Sequence, residues 1–287
     1  MGLAFTGRRS FAETPIERVR AFWDARPCNI RHSPAPVGSR QYFDEVEARK
    51  YFVEPHLPDF AQFPRWAGCR VLEIGCGIGT DTINFARAGA QVTAVDLSSR
   101  SLELARRRAE IFGVSDRIRF VAGDAERLSA FVAPEPYDLV YAFGVLHHTP
   151  QPARALAEIR RHFMGADSQL KMMVYHRRSL KVLAILLREA RGAFRNLDAA
   201  IARHSEAQTG CPVTYTYTRA DLSRLLASAG FAVSEMFVDH VFSYRVSDYT
   251  QYRYRKTLPF RLMPSAFARA LERRAGWHLC VTASCAG

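Results

Sequence analysis

The chain has 287 residues, of which 48% are hydrophobic and 24% are charged. This length and composition are typical of one large globular domain, or of a domain with a small accessory unit, and they exclude a disordered or fibrous chain. The longest apolar run, residues 182–187, is too short to cross a bilayer, so we predict no transmembrane segment. Forty Lys and Arg against 28 Asp and Glu give a net charge of +12, which favours anionic partners, although the basic residues are scattered along the chain.

Cysteine spacing and the N-terminus bear on metal binding and on the compartment. The six cysteines form no C-x-x-C pair and show no Cys/His spacing typical of metal ligands. We therefore predict no metal site and a reducing environment. The first residues lack the apolar stretch of a secretory signal, so we expect a cytoplasmic protein.

Two helices are predicted before residue 66. Thr14, Pro15 and Glu17 have the spacing of a capping box with proline at the first helical position, which predicts a helix over residues 15–25. Residues 28–38 are rich in proline and irregular, and a second helix is expected over residues 41–52.

A glycine-rich loop follows the first predicted strand, residues 70–74. Its glycines stand at alternate positions, Gly75, Gly77 and Gly79, and a helix follows at once. Such a backbone can turn sharply and present its N–H groups to a ligand. A dinucleotide-binding loop would have its third glycine at position 80, where this chain has Thr80. The loop predicts a cofactor site, and glycines that serve packing alone are the alternative.

Strands and helices alternate regularly beyond the loop. Strand 91–95 ends at Asp96, which lies 19 residues after Gly77, and strand 118–122 is followed by Gly123, Asp124 and Ala125. Strand 137–143 leads into a segment that contains His147 and His148. The later predictions are a helix over 152–163, strand 169–175, helix 179–191, a capped helix after Thr218, strand 231–238, a basic helix over 265–275 and an antiparallel strand 277–283.

The glycine loop, Asp96, Asp124 and the segment 143–150 occur in an order and spacing that resemble the class I S-adenosylmethionine (SAM)-dependent methyltransferases, most closely over residues 68–163. The resemblance implies an α/β fold with a Rossmann-like, seven-stranded, mostly parallel sheet, helices on both faces and an antiparallel last strand. It also implies that residues 1–66 form an N-terminal helical cap and that residues 67–287 form the core, with lid insertions at about 179–213 and 241–276.

The same resemblance assigns a cofactor site for SAM. In the family the loop holds the methionyl part of SAM, the acid after the second strand holds the ribose hydroxyls and the acid after the third contacts the adenine amino group, which matches Asp96 and Asp124 here. The predicted cofactor-binding residues are Glu73, Gly75, Cys76, Gly77, Gly79, Asp96, Leu97, Asp124, Ala125 and Phe143.

A histidine after the fourth strand is a candidate general base, because its pKa near neutrality suits removal of a proton from the methyl acceptor. The sequence does not distinguish His147 from His148, and helix capping or packing is the alternative for both. Pocket position in the family makes further polar and aromatic residues candidates for substrate binding, although each could instead serve packing: Arg31, His32, Tyr42, Tyr175, His176, Arg177, Tyr215, Tyr217, Tyr244 and Arg245.

These features favour methyl transfer to a small-molecule acceptor that carries an acidic group. The sequence Val-Leu-His-His at 145–148 is similar to the quinone and sterol methyltransferases and departs from the [DN]-P-P-[YFW] motif of enzymes that methylate nucleic-acid amines. An RNA methyltransferase or RNA-binding protein stays open, since residues 241–256 mix aromatic and basic side chains that could stack on bases and hold phosphates. The same residues could instead close over a small substrate or lie on an acidic membrane. A non-catalytic SAM-binding scaffold is the other alternative.

Overall fold

A seven-stranded sheet organises the computed structural model of the protein, which describes residues 11–189, 197–205 and 210–286. The strand order is β3-β2-β1-β4-β5-β7-β6, and β7 runs antiparallel to both of its neighbours. This confirms the predicted Rossmann-like sheet with its antiparallel last strand. The strands are β1 Arg70–Ile74, β2 Gln91–Asp96, β3 Ile118–Ala122, β4 Tyr137–Phe143, β5 Met164–Tyr175, β6 Phe231–Asp239 and β7 His278–Cys285.

Helices cover both faces of the sheet, as predicted. Side chains alternate along a strand, so Val71 of β1 packs into the core on one face and Leu72 into the core on the other. Helices α4 and α5 contribute to the first core, and α6 and α9 to the second. The described helices are α1 Ile16–Ala25, α2 Arg40–Val53, α3 Leu57–Ala61, α4 Thr80–Arg87, α5 Ser99–Phe112, α6 Pro152–His162, α7 Leu180–Arg188, α8 Leu197–His204, α9 Arg219–Ser228, α10 Val246–Tyr249, α11 Leu258–Leu262 and α12 Ser265–Ala275.

Of the two helix N-terminal caps predicted from the sequence, the one at Thr218 is found in the structure and the one at Thr14 is not. Thr218 and Asp221 form the capping box of α9 that the sequence predicts. The predicted cap at Thr14 is wrong, because the Thr14 amide donates to the Phe11 carbonyl in a turn and α1 begins only after Pro15. The predicted helix 179–191 is found as α7, and its last two predicted residues lie outside the described ranges.

The N-terminal helices are fixed to the loops at the carboxyl edge of the parallel strands. From α1, Asp24 accepts a hydrogen bond of 2.8 Å from the Ser98 hydroxyl at the start of α5. From α2, the Lys50 ammonium donates to the Asp81 carboxylate of α4 at 2.8 Å. Both contacts hold this segment over the edge at which open α/β sheets place their ligands.

None of the helices in the described ranges is long and apolar enough to cross a membrane.

Candidate functional site

The glycine loop has the backbone shape that the sequence predicts for it. Gly75, Gly77 and Gly79 all have positive φ, at 74°, 55° and 77°. A Cβ on Gly75 would lie 2.1 Å from a methyl carbon of Val145, so only glycine fits there. The amides of Gly75 and Cys76 both donate to the Val95 carbonyl, which ties the loop to the end of β2.

A cavity of about 250 Å³ opens between this loop and the N-terminal helices. The carboxyl ends of the central strands form its floor, and α1 and α2 contribute to its wall. The sequence-predicted residues that line it are Gly75, Gly77, Asp96, Leu97, Asp124, Ala125, Phe143, His148 and Tyr175. The structure therefore brings seven of the ten cofactor candidates to one cavity together with one candidate base.

Asp96 is fixed by two backbone amides in the cavity wall. One carboxylate oxygen accepts from the Gly77 amide and the other from the Ser98 amide, each at 2.8 Å. Burial raises the pKa of Asp96 to about 6, although these two bonds oppose the shift. The carboxyl is therefore mainly ionised near pH 7 and is an acceptor for hydroxyl donors in the cavity.

Asp124 is held in the turn that follows β3. Its carboxylate accepts the amide of Glu126 at 2.9 Å. The Glu126 carboxylate in turn accepts the Thr149 hydroxyl and, at 2.6 Å, the Gln151 amide. These bonds lock the turns after β3 and β4 together, so Asp124 and His148 are held on the same cavity.

Three cofactor candidates lie outside the cavity wall. Cys76 and Gly79 are in the loop but do not line the cavity, and Glu73 lies buried beneath it, where its carboxyl accepts the Thr82 hydroxyl. Burial and the nearby Asp81 carboxylate raise the pKa of Glu73 to about 8. Glu73 therefore supports the loop from below.

The two adjacent histidines have different surroundings. His147 is completely buried, and both of its ring nitrogens are without a hydrogen-bond partner in the described part of the chain. Its ring packs 3.8 Å from that of Tyr175, and burial lowers its pKa well below the usual value. This placement is that of a packing residue. His148 lines the cavity, and its ring lies 5.4 Å from that of Trp23.

A backbone carbonyl sets the tautomer of His148. The Nδ1 atom lies 2.8 Å from the carbonyl oxygen of Val213, which can only accept, so Nδ1 carries the proton. In the neutral ring the lone pair is then on Nε2.

Most of the predicted substrate residues lie away from this cavity. Tyr42 is in the core and donates to the Ile30 carbonyl, His176 contacts the Gly276 carbonyl, and Arg177 pairs with Asp198. The Tyr215 hydroxyl donates to the Pro150 carbonyl, and Tyr217 is buried beside β5. Four more are found where the N-terminal segment meets the segment between β6 and β7, or on the adjoining surface: Arg31, His32, Tyr244 and Arg245. Tyr175 is the substrate candidate on the cavity wall.

Sequence reasoning did not identify several residues that line the cavity. Trp23 lies on the predicted helix 15–25 and Asn29 in the irregular, proline-rich segment 28–38, and neither was a predicted site residue. Lys50, Glu54 and His278 are brought in by tertiary contacts alone, so no local pattern could have found them.

Comparisons with known proteins bear on the central part of the chain. Residues 71–164 match a family model described as a methyltransferase domain. A ubiquinone biosynthesis O-methyltransferase of Aromatoleum aromaticum is 40% identical over 91 residues, which are 32% of this chain and 38% of that protein. The corresponding enzyme of Methylocella silvestris is 40% identical over 129 residues, or 44% of this chain and 48% of that protein. The matches thus span less than half the length of these relatives.

Solved structures share the fold over nearly the whole chain. A magnesium protoporphyrin IX methyltransferase from Synechocystis, with S-adenosylhomocysteine (SAH) bound, has a TM-score of 0.57 at 17% identity. The match covers 94% of this chain and 99% of that one. A (4+2)-cyclase has a TM-score of 0.53 at 20% identity, covering 96% and 94%. At these identities the likeness establishes a common fold.

Proposed function

We propose that this chain, which carries a class I SAM-dependent methyltransferase domain, transfers a methyl group from SAM to a hydroxyl of a small molecule. One observation carries the proposal: the glycine loop, Asp96 and Asp124 share a cavity with His148, and the contact of its Nδ1 with the Val213 carbonyl supports a role for Nε2 as general base. The O-methyltransferases among the relatives support a hydroxyl acceptor.

Two features of the cavity support binding of the cofactor, namely an open backbone in the glycine loop and acidic side chains on the wall. The position of a Cβ on Gly77 has no atom within 4 Å, so the backbone is open to a ligand at that point. We assign the loop to the methionyl part, Asp96 to the ribose hydroxyls and Asp124 to the adenine amino group. When bound, SAM supplies an electrophilic methyl group on a positively charged sulfur. The carboxylates of Asp96, Asp124 and Glu54 on the wall are compatible with that positive charge.

His148 is proposed to take the proton of the acceptor hydroxyl on Nε2. The bond from Nδ1 to the Val213 carbonyl keeps the lone pair on the other nitrogen and stabilises the imidazolium that forms. The rings of Trp23 and Tyr175, each 5.4 Å from that of His148, hold the imidazole in place. At 4% exposure the side chain is shielded from bulk water, which favours proton transfer within the site.

The acidic acceptor remains a prediction. Among the described residues that line the cavity, Lys50 is the only lysine or arginine. Its ammonium is paired with the Asp81 carboxylate, so it is not a clear partner for an acidic group of the acceptor. No specific observation supports the RNA alternative. Arg177, which could hold a phosphate, forms an ion pair with Asp198, and the rings of Tyr249 and Tyr252, which could stack on bases, already contact the Arg49 guanidinium. The fold by itself is not specific to methyl transfer, because a (4+2)-cyclase shares it, so the scaffold alternative is decided by the assay below.

Methyl-labelled SAM incubated with the protein and host extract tests the reaction class. We expect label in a small-molecule fraction that resists nuclease. Label in nuclease-sensitive material would instead support the RNA reading. Measurable SAM binding with no labelled product in extracts from several growth conditions would support the scaffold.

The substitution His148→Gln tests the proposed base. We expect the rate of methyl transfer to fall by about 10²–10⁴-fold, the usual contribution of a general base, while SAH affinity stays within about twofold. His162→Gln is the matched control, because His162 lies at the end of α6 in a pair with Glu158. A rate for His148→Gln equal to that of the control would overturn the assignment.

A further inference from the structure

A cluster of two histidines and a carboxylate lies beside the cofactor cavity. Glu54 follows α2, His240 follows β6 and His278 begins β7, and their ligand atoms all lie within 4.8 Å of one another. The Nε2 atom of His278 is 3.8 Å from a carboxylate oxygen of Glu54, and the rings of His240 and His278 stack at 4.4 Å. The residues described by the structure contain no other group of this kind.

A second pair of side chains orients His278. Its Nδ1 atom lies 3.2 Å from Nε2 of His56, and the other nitrogen of His56 lies 3.8 Å from a carboxylate oxygen of Asp239. With Nδ1 protonated toward His56, Nε2 of His278 presents its lone pair to Glu54 and His240. Metal-binding histidines commonly have a hydrogen-bond partner on the ring nitrogen that does not bind the ion, and His56 supplies that partner to His278.

The backbone at His240 has a conformation that is uncommon for a residue with a side chain. Its φ is +68°, a left-handed conformation that costs free energy for a residue with a side chain. The conformation is fixed by the His240 amide, which donates to Asp239 at 2.7 Å, and by the His240 carbonyl, which accepts the Trp277 amide at 2.7 Å. It carries the imidazole onto the ring of His278.

We propose that Glu54, His240 and His278 bind a divalent first-row transition ion such as Zn²⁺ or Co²⁺. Two imidazoles and one carboxylate suit these ions better than Mg²⁺ or Ca²⁺, and three protein ligands leave positions open. Bonds of about 2.1 Å need ligand atoms no more than about 4.2 Å apart, so small side-chain rotations close the site. Cysteine and histidine spacing predicted no metal site, because the three ligands come from distant segments of the chain.

The position of the cluster indicates what the ion would do. Glu54 and His278 line the same cavity as Asp96 and His148. An ion with an open position on this wall would supply a Lewis acid to an oxygen of the methyl acceptor and would ease the loss of its proton to His148. This role rests on the proposed methyl transfer, whereas ion binding itself does not.

Metal binding to the full chain tests the site directly. Protein freed of metal by a chelator is titrated with Zn²⁺ and, separately, with Co²⁺, whose visible absorption reports its coordination. We expect about one ion per chain and a Co²⁺ spectrum of a nitrogen–oxygen site. His240→Ala and Glu54→Gln are expected to weaken affinity by at least about tenfold, and His162→Ala, a surface histidine outside the cluster, is expected to leave it unchanged.

SAH binding, measured by calorimetry on the same samples, separates this inference from the proposed function, and thermal melting reports the folding of each variant. SAH binding without an ion at the cluster, or ion affinity that is equal in wild type and both cluster variants, overturns the metal site and leaves the proposed function standing. Cluster-dependent ion binding without SAH binding supports the metal site and overturns the proposed cofactor.

Discussion

Glu73 is a carboxyl group in the interior, directly below the glycine loop. It is 4% exposed, it accepts the Thr82 hydroxyl, and its pKa is raised to about 8 by burial and by Asp81. In the unfolded chain the same group ionises near 4.5. Between these two pH values the folded protein holds a proton that the unfolded chain releases, so the free energy of unfolding falls as pH rises through this window.

The substitution Glu73→Gln removes this dependence, because glutamine is neutral at every pH. We expect the variant to unfold with a larger free energy than wild type, by a difference that grows from pH 5 to pH 8 and reaches about 1–3 kcal/mol. Urea unfolding at three pH values measures it. Glu110→Gln, at an exposed carboxyl on α5, is the control. A difference between Glu73→Gln and wild type that does not change with pH would contradict the account.

Sequence reasoning located the site residues that follow predicted strands at a fixed spacing along the chain. The glycines and Asp96 follow strands at fixed spacing, so their meeting at one edge of a parallel sheet could be expected. The choice between His147 and His148 could not be made, because it depends on how a short 3₁₀ turn, Leu146–His148, packs against Trp23 and Val213 from distant segments.

At the scale of elements, one buried arginine joins α2 to the segment between β6 and β7. The Arg49 guanidinium donates to the Tyr249 carbonyl at 2.6 Å and lies 3.9 Å from the centre of the Tyr249 ring and 4.6 Å from that of Tyr252. The aromatic and basic residues of 241–256 were expected to form a substrate lid, a nucleic-acid surface or a membrane surface. Tyr249 and Tyr252 also contact Arg49 of α2, about 200 residues away in sequence, and no local pattern indicates this contact.

Replacing Arg49 by alanine tests this connection. The charged hydrogen bond and the cation–π contacts are both lost, so we expect a fall of about 2–3 kcal/mol in the free energy of unfolding. We also expect faster cleavage by trypsin after the exposed residues Arg253, Arg255 and Lys256, since α10 is released. Arg107→Ala, at an exposed arginine of α5, is the control. Unchanged cleavage in Arg49→Ala would show that other contacts hold the segment.

At the scale of the whole molecule, the seven-stranded, mostly parallel sheet and its antiparallel last strand were predicted from regular alternation and from the family resemblance. The two long segments after β5 and β6 were expected as insertions, but their contacts were not, since these depend on packing across the sheet rather than on periodicity. The cavity is lined both by residues that the sequence predicted and by residues that tertiary packing brings in. Its floor comes from predicted strand ends, and much of its wall comes from α1, α2 and β7.

The most direct test of the central claim, that this cavity binds SAM, is calorimetric titration of SAH into wild type and Asp96→Ala. We predict that wild type binds and that the variant binds more weakly by about 1–3 kcal/mol, the cost of losing a buried acceptor. Asp116→Ala, at an exposed acid before β3, is expected to match wild type, and thermal melting confirms that each protein is folded. Equal affinity of folded Asp96→Ala and wild type, or no binding to wild type, would contradict the account.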